Sequence, residues 1–165
     1  DEAGNDVYFG MYYTQAIGAH FAMGMLIDAA GDDTHNEGKS PASSIGFAHD
    51  ASTTLLRDGG GDDLWQGAGM RGYDSGMSVA IEMGGTDTYL DCTLGQATLG
   101  PYGGTHPEML ALGVFLDGGG NDDYETSNPD GISVGNDQVW SWKSSGSALP
   151  GEHGMGADGT APLGL

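Results

Sequence analysis

The stretch DGGGNDDY at 117–124 is the last of five copies of one pattern. The others are DEAGNDVY at 1–8, DAAGDDTH at 28–35, DGGGDDLW at 58–65 and EMGGTDTY at 82–89. Each opens on an acid: Asp1, Asp28, Asp58, Glu82 and Asp117. Each carries Gly in fourth place (Gly4, Gly31, Gly61, Gly85, Gly120) and Asp in sixth (Asp6, Asp33, Asp63, Asp87, Asp122). The eighth place is a ring: Tyr8, His35, Trp65, Tyr89 and Tyr124. Successive copies start 27, 30, 24 and 35 residues apart. Periods of roughly 20–50 residues mark chains in which each repeat is one stacking unit.

A short apolar run precedes each later copy: MLI at 25–27, TLL at 54–56, SVAI at 78–81 and VFL at 114–116. Runs of this length, closed by Gly-rich turns, predict strands. No segment keeps helical apolar spacing free of Gly, so a helical solenoid is excluded. A propeller blade needs about 40 residues for its four strands, more than most of these intervals hold. The fold expected is all-β, a parallel β-solenoid of about five coils of 24–35 residues, with stacked Asp/Gly turns and layers about 4.8 Å apart. Gln15, Gln66 and Gln96 open similar Gly-rich stretches, which predicts a second, looser side of each coil. The solenoid domain is expected over 1–143, with PYGGTHPE at 101–108 leaving the stack as a loop. Residues 144–165 lack periodicity and read as a Gly/Pro-rich tail, disordered or docking on a neighbouring subunit.

Composition alone points elsewhere. Leu, Ile, Val and Phe number 27 of 165, Gly numbers 32, and the formal charge is −20 with four Lys and Arg. That is the composition of disorder, because the apolar surface is too small to offset chain entropy. The order of residues overrides it. The charge excludes nucleic acid as a partner, since no basic patch is present to release counterions from phosphate. No apolar run is long enough to cross a bilayer as a helix. One cysteine, Cys92, excludes an internal disulfide and a cysteine-based zinc site. The chain begins at Asp1 without Met, which reads as a processed, secreted product.

Stacking brings equivalent residues of successive coils together. The first, fifth and sixth places hold 12 of the 24 acids. Two carboxylates about 4.8 Å apart repel by about 0.9 kcal/mol in water and about 3.5 kcal/mol at an effective dielectric near 20. Summed along a column, this rivals the whole stability of a domain, about 5–15 kcal/mol. Four basic residues cannot neutralise it. Calcium can, because it takes six to eight oxygen ligands in flexible geometry. The candidate ligands are Asp1, Asp28, Asp58, Glu82 and Asp117 in first place. Asp32, Asp62 and Asn121 stand in fifth place, and Asp6, Asp33, Asp63, Asp87 and Asp122 in sixth. The competing explanation needs no ion: Asp in a Gly-rich turn also caps backbone N–H groups. The ring column predicts stacked core rings.

GGGNDDY at 118–124 and GGGDDLW at 59–65 resemble the Gly-Gly-x-Gly-x-Asp-x-large-apolar turn of RTX calcium β-rolls. The resemblance implies calcium held between coils by Asp63 and Asp122 and, through the internal repeat, by Asp6, Asp33 and Asp87. RTX turns recur every nine residues and these every 24–35, so the likeness covers the turns alone. The turns are also similar to bacterial Asp-x-x-Gly-Asp-Asp-x-Tyr repeats, from which no function follows.

Gly67-Ala-Gly69-Met-Arg-Gly72 imitates a dinucleotide fingerprint and Gly131-Ile-Ser133-Val-Gly135 a nucleophile elbow. Neither leads into the helix its chemistry requires. No catalytic set is recognised and no enzyme is expected. The expected function is an extracellular or cell-surface structural protein, stabilised by Ca2+, that joins head to tail into a filament or surface layer. The alternative is a secreted carbohydrate-binding or carbohydrate-cleaving solenoid, in which Trp140 and Trp142, two apart on one strand face, stack on extracellular glycans.

Overall fold

A computed structural model of the chain describes residues 1–99, 109–126, 131–142 and 152–159. The 101–108 loop lies outside the described residues. Among these there is no helix, so none long and apolar enough to cross a membrane. The described residues form fifteen strands in three sheets. The first sheet stacks β1 (Val7–Tyr8), β4 (Thr34–His35), β7 (Leu64–Gln66), β10 (Thr88–Leu90) and β13 (Asp123–Glu125). The second stacks β2 (Gly18–Ala19), β5 (Phe47–His49), β8 (Arg71–Tyr73) and β11 (Ala97–Thr98). The third runs β3 (Met23–Ile27), β6 (Thr53–Asp58), β9 (Met77–Glu82), β12 (Ala111–Gly118) and β15 (Glu152–Gly159), then β14 (Val139–Trp142). Within each sheet, strands three apart in the chain pair in parallel. Only β14 on β15 is antiparallel.

The apolar runs seen in the sequence all fall in the third sheet. In β6, Thr54, Leu56 and Asp58 are buried while Thr53, Leu55 and Arg57 turn outward, the period-two pattern of a strand with one face on a core. The core between the sheets is built from Ile45, Leu56, Trp65, Tyr89, Leu94 and Phe115, with Trp140 and Trp142 closing it. Inside it rings stack as expected: Tyr8 on His35 at 4.7 Å, His35 on Trp65 at 3.6 Å, and Tyr89 on Tyr124 at 5.0 Å. Burial holds the His35 imidazole down at about 3, so it packs as a neutral ring.

Two expectations are corrected. Each repeat contributes three strands where one and a looser side were expected. And 144–165 is not simply a tail, because 152–159 forms β15, in register with the whole of β12. Its alternation of Gly154, Gly156 and Asp158 on the inner face escaped notice because two of the three inner positions have no side chain. The remainder of 144–165 lies outside the described residues.

The fourth-place glycines follow from the stacking distance. A Cβ on Gly61 would lie 1.6 Å from the Gly31 carbonyl oxygen, and one on Gly120 would lie 1.7 Å from that of Gly85. No side chain fits there. Gly61→Ala is expected to cost on the order of 3 kcal/mol or more, since backbone must move in two coils at once. Gly38→Ala, where a Cβ meets nothing within 4 Å, is expected to cost about 1 kcal/mol for its positive φ alone. Denaturant unfolding in calcium measures both, and equal costs would refute the steric account.

Candidate metal centre

The turn motif joins the third sheet to the first, so its first-place acid ends one strand and its ring begins the next. The sixth-place aspartates form a ladder. Asp33 Oδ1 accepts the Asp6 N–H at 2.6 Å, Asp63 Oδ1 that of Asp33 at 2.6 Å, and Asp87 Oδ1 that of Asp63 at 2.8 Å. Asp122 Oδ1 then accepts the Asp87 N–H at 2.7 Å, and Asn136 Oδ1 closes the ladder on the Asp122 N–H at 2.7 Å. The fifth-place residues cap in the opposite direction. Asn5 Oδ1 accepts from the Asp32 N–H, Asp32 Oδ1 from Asp62 and Asp62 Oδ1 from Thr86.

Capping therefore takes one oxygen of each sixth-place carboxylate and leaves the other. Oδ2 of Asp33, Asp63, Asp87 and Asp122 is buried and has no hydrogen-bond partner. The first-place acids behave alike. The Tyr8 hydroxyl donates to Asp28 Oδ2, those of Tyr89 and Tyr124 to Asp117 Oδ2, and the Gly60 N–H to Asp58 Oδ1. The other oxygens, Asp28 Oδ1, Asp117 Oδ1 and Asp58 Oδ2, are buried and unpartnered. A buried carboxylate oxygen without a donor costs several kcal/mol if charged, about 1–3 kcal/mol even as a polar group. Seven such oxygens cannot be an accident of packing.

The residues that carry them, joined by Asp6, come together in threes. Asp6, Asp28 and Asp33 bring one oxygen each within 4.8 Å of one another, as do Asp33, Asp58 and Asp63, and Asp87, Asp117 and Asp122. Each trio takes two sixth-place acids from adjacent coils and the first-place acid between them. Asp33 serves two trios. The donor set is all hard oxygen with a charge of up to −3, which fits calcium and offers no soft ligand for a transition metal.

Electrostatics agree with the geometry. Burial, helped by the charges of Asp58 and Asp33, pushes the Asp63 carboxyl up to about 7 against the lowering Asp33 N–H. Burial, then Asp117 and Asp63, raises Asp87 to about 9. Burial lifts Asp117 to about 7 although the Tyr89 hydroxyl pulls it down. Asp33, Asp58 and Asp122 are raised by burial in the same way. Asp28 alone is lowered: burial raises it, but the Tyr8 hydroxyl, the Ala29 and Ala30 N–H groups and the N-terminal ammonium outweigh that.

Other expected ligands stand apart. Asp1 is exposed and accepts the N–H groups of Glu2 and Ala3. Asp32 and Asp62 are exposed caps, and Asn121 is exposed. Glu82 is buried in register with Asp58 and Asp117; one oxygen accepts the Met83 N–H and the other, Oε2, is buried and unpartnered like those above, but it joins no trio. Asp158, expected to lie in an inert tail, instead pairs in register with Asp117 and accepts the Tyr124 hydroxyl at 2.8 Å. The Asp158-Gly159 pair repeating Asp117-Gly118 was its one sequence signal.

Trp140 and Trp142 are corrected too. They are 4% and 6% exposed, and both indole N–H groups donate to the Leu94 carbonyl, so no ring face is open to a sugar. His20 and His49 do face each other, edge to face at 5.8 Å, but each contacts an aspartate, Asp50 and Asp74 respectively. The chain matches no family model, no curated protein and no solved structure.

Proposed function

We propose that the chain is a calcium-stabilised β-solenoid, a structural protein of the cell exterior rather than a catalyst. Three strands per repeat, each in parallel register with its counterpart in the next through the first four repeats, support the solenoid. The carrying observation is that carboxylates meet in trios between successive repeats and that all of them but Asp6 keep a buried, unpartnered oxygen. Asp6, Asp28 and Asp33 would hold one ion, Asp33, Asp58 and Asp63 a second, and Asp87, Asp117 and Asp122 a third. Calcium is preferred to magnesium, which demands near-octahedral geometry and gives up its waters reluctantly. Ladders of weak sites suit the exterior, where modules bind calcium with dissociation constants of roughly 10⁻⁴–10⁻³ M. The edges of β1, β2 and β3 are where further copies would add head to tail to build a filament or surface layer.

The test is far-UV circular dichroism of metal-stripped and calcium-loaded protein at neutral pH, with native mass spectrometry for stoichiometry. Stripping is expected to weaken the β signal and lower the melting point, and readdition of calcium to restore both with three ions bound. An unchanged spectrum and melting point without metal would leave the carboxylates as caps only and end the calcium reading.

A further inference from the structure

The outward face of the third sheet has a composition unlike the rest of the chain. Its middle column runs Met25, Leu55, Val79, Val114 and Met155, one residue from each strand in register. One flanking column adds Met23, Met77 and Leu112, the other Ile27, Ile81 and Leu116. None of these residues belongs to the core. Met23, Met25, Ile27, Met77 and Met155 are exposed, and the rest are half-buried by their strand neighbours. The other outward positions on these five strands include Thr53, Arg57, His153 and Ala157, and β14 adds Val139 and Ser141 beside them. Among the described residues of a chain with 24 acids, none stands on this face. The principal contacts of β3, β6, β9 and β12 are with their sheet neighbours and with the second sheet inside.

We propose that this face is a homodimer interface, on which a second copy packs its own third sheet. Three outward residues per strand on five strands span about 17 Å by about 20 Å. Interlocked with an equal surface, that removes on the order of 1,000 Å² of accessible area, the lower bound for a specific interface. A contiguous apolar face of this size is rare on a monomer. The acid turns select the arrangement. They line one edge of the sheet, at Asp58, Glu82 and Asp117 where the strands end. A two-fold axis along the stacking direction sends the two acidic edges to opposite sides. An axis along the strands would set them side by side, at −20 per copy. With the first axis the middle column faces itself, and Val79 lies at its centre.

Val79→Cys in the calcium-loaded chain tests this at about 0.15 M salt, where charge repulsion between copies is screened. The native Cys92 is 1% exposed, so the new thiol is the accessible one. Mild oxidation is expected to give a disulfide dimer, whereas Asp123→Cys, exposed on the first sheet, stays monomeric. Sedimentation of the unmodified chain at about 100 µM is expected to show the dimer as its smallest species, as for a dissociation constant in the micromolar range. Leu55→Glu should shift it to monomer with its circular dichroism unchanged. A monomeric unmodified chain, or crosslinking of Val79→Cys no faster than that of Asp123→Cys, overturns the proposal. If Leu55→Glu does not fold, the cysteine pair decides alone.

Discussion

Asp33→Asn is expected to remove two of the three calcium ions while making the metal-free fold no weaker. Asp33 is the residue shared by two trios, and its Oδ2 is buried and unpartnered. An amide in its place retains the Oδ1 cap on the Asp6 N–H, as Asn136 does for the Asp122 N–H. It gives up a charge that each ion needs, which should weaken both sites on the order of 100-fold. In metal-stripped protein the same change removes repulsion from Asp28 and Asp6, worth about 1 kcal/mol or more per close pair. Asp33→Ala, by contrast, loses the cap as well and should destabilise both forms by about 1–2 kcal/mol beyond that. Native mass spectrometry and denaturant unfolding of the two variants separate ligand from cap. If Asn and Ala lose calcium and stability equally, the two oxygens do not have separate roles.

Calcium should also reverse the sign of the protein's pH dependence. In the metal-free fold, Asp63 and Asp117 are raised to about 7 and Asp87 to about 9, above the ordinary aspartate value of 3.8. Between these limits the folded chain binds more protons than the unfolded one, so stability falls as pH rises. The contribution is fully present below about pH 4 and is lost as pH climbs through about 7 to about 9. Metal-stripped protein should therefore melt higher at pH 5 than at pH 8. With calcium in excess the order inverts, because ions bind the deprotonated carboxylates and acid competes with them. Melting curves at the two pH values, in stripped buffer and in millimolar calcium, give the four numbers required. The same trend in both series would show that the carboxylates do not face an ion.

The legible parts of this fold were those whose signal lies in side chains of alternating character. The third sheet announced itself because Thr54-Leu55-Leu56 and Val114-Phe115-Leu116 lie on strands of six and eight residues. The second sheet did not. Its strands read GA, FAH, RGY and AT, too short and mixed to carry a period. They are strands because a neighbouring layer supplies the hydrogen bonds, which is tertiary information. The corners after them were equally hidden. His20-Phe21, Asp50-Ala51 and Asp74-Ser75 are successive residues with φ between 49° and 65°, none of them glycine. Isolated chains avoid that conformation at roughly 1–2 kcal/mol per residue, so nothing local predicts it. In the site, the column of sixth-place aspartates was legible because repetition exposes it. The division of each carboxylate into a capping and a free oxygen was not, since only the spacing between layers decides it. Glu82 looked equivalent to its neighbours in the repeat, and one additional methylene removed it from the trios.

The direction of the capping ladder sets an order of events during synthesis. Each sixth-place N–H is satisfied by a carboxylate that lies 24 to 35 residues later in the chain, from Asp6 onto Asp33 up to Asp87 onto Asp122. A repeat that has just emerged from the ribosome or a translocation pore has its sixth-place N–H uncapped until its successor follows. The stack thus closes one layer behind the growing end, and it is finished by an amide, Asn136, which ends the column without asking for another ion.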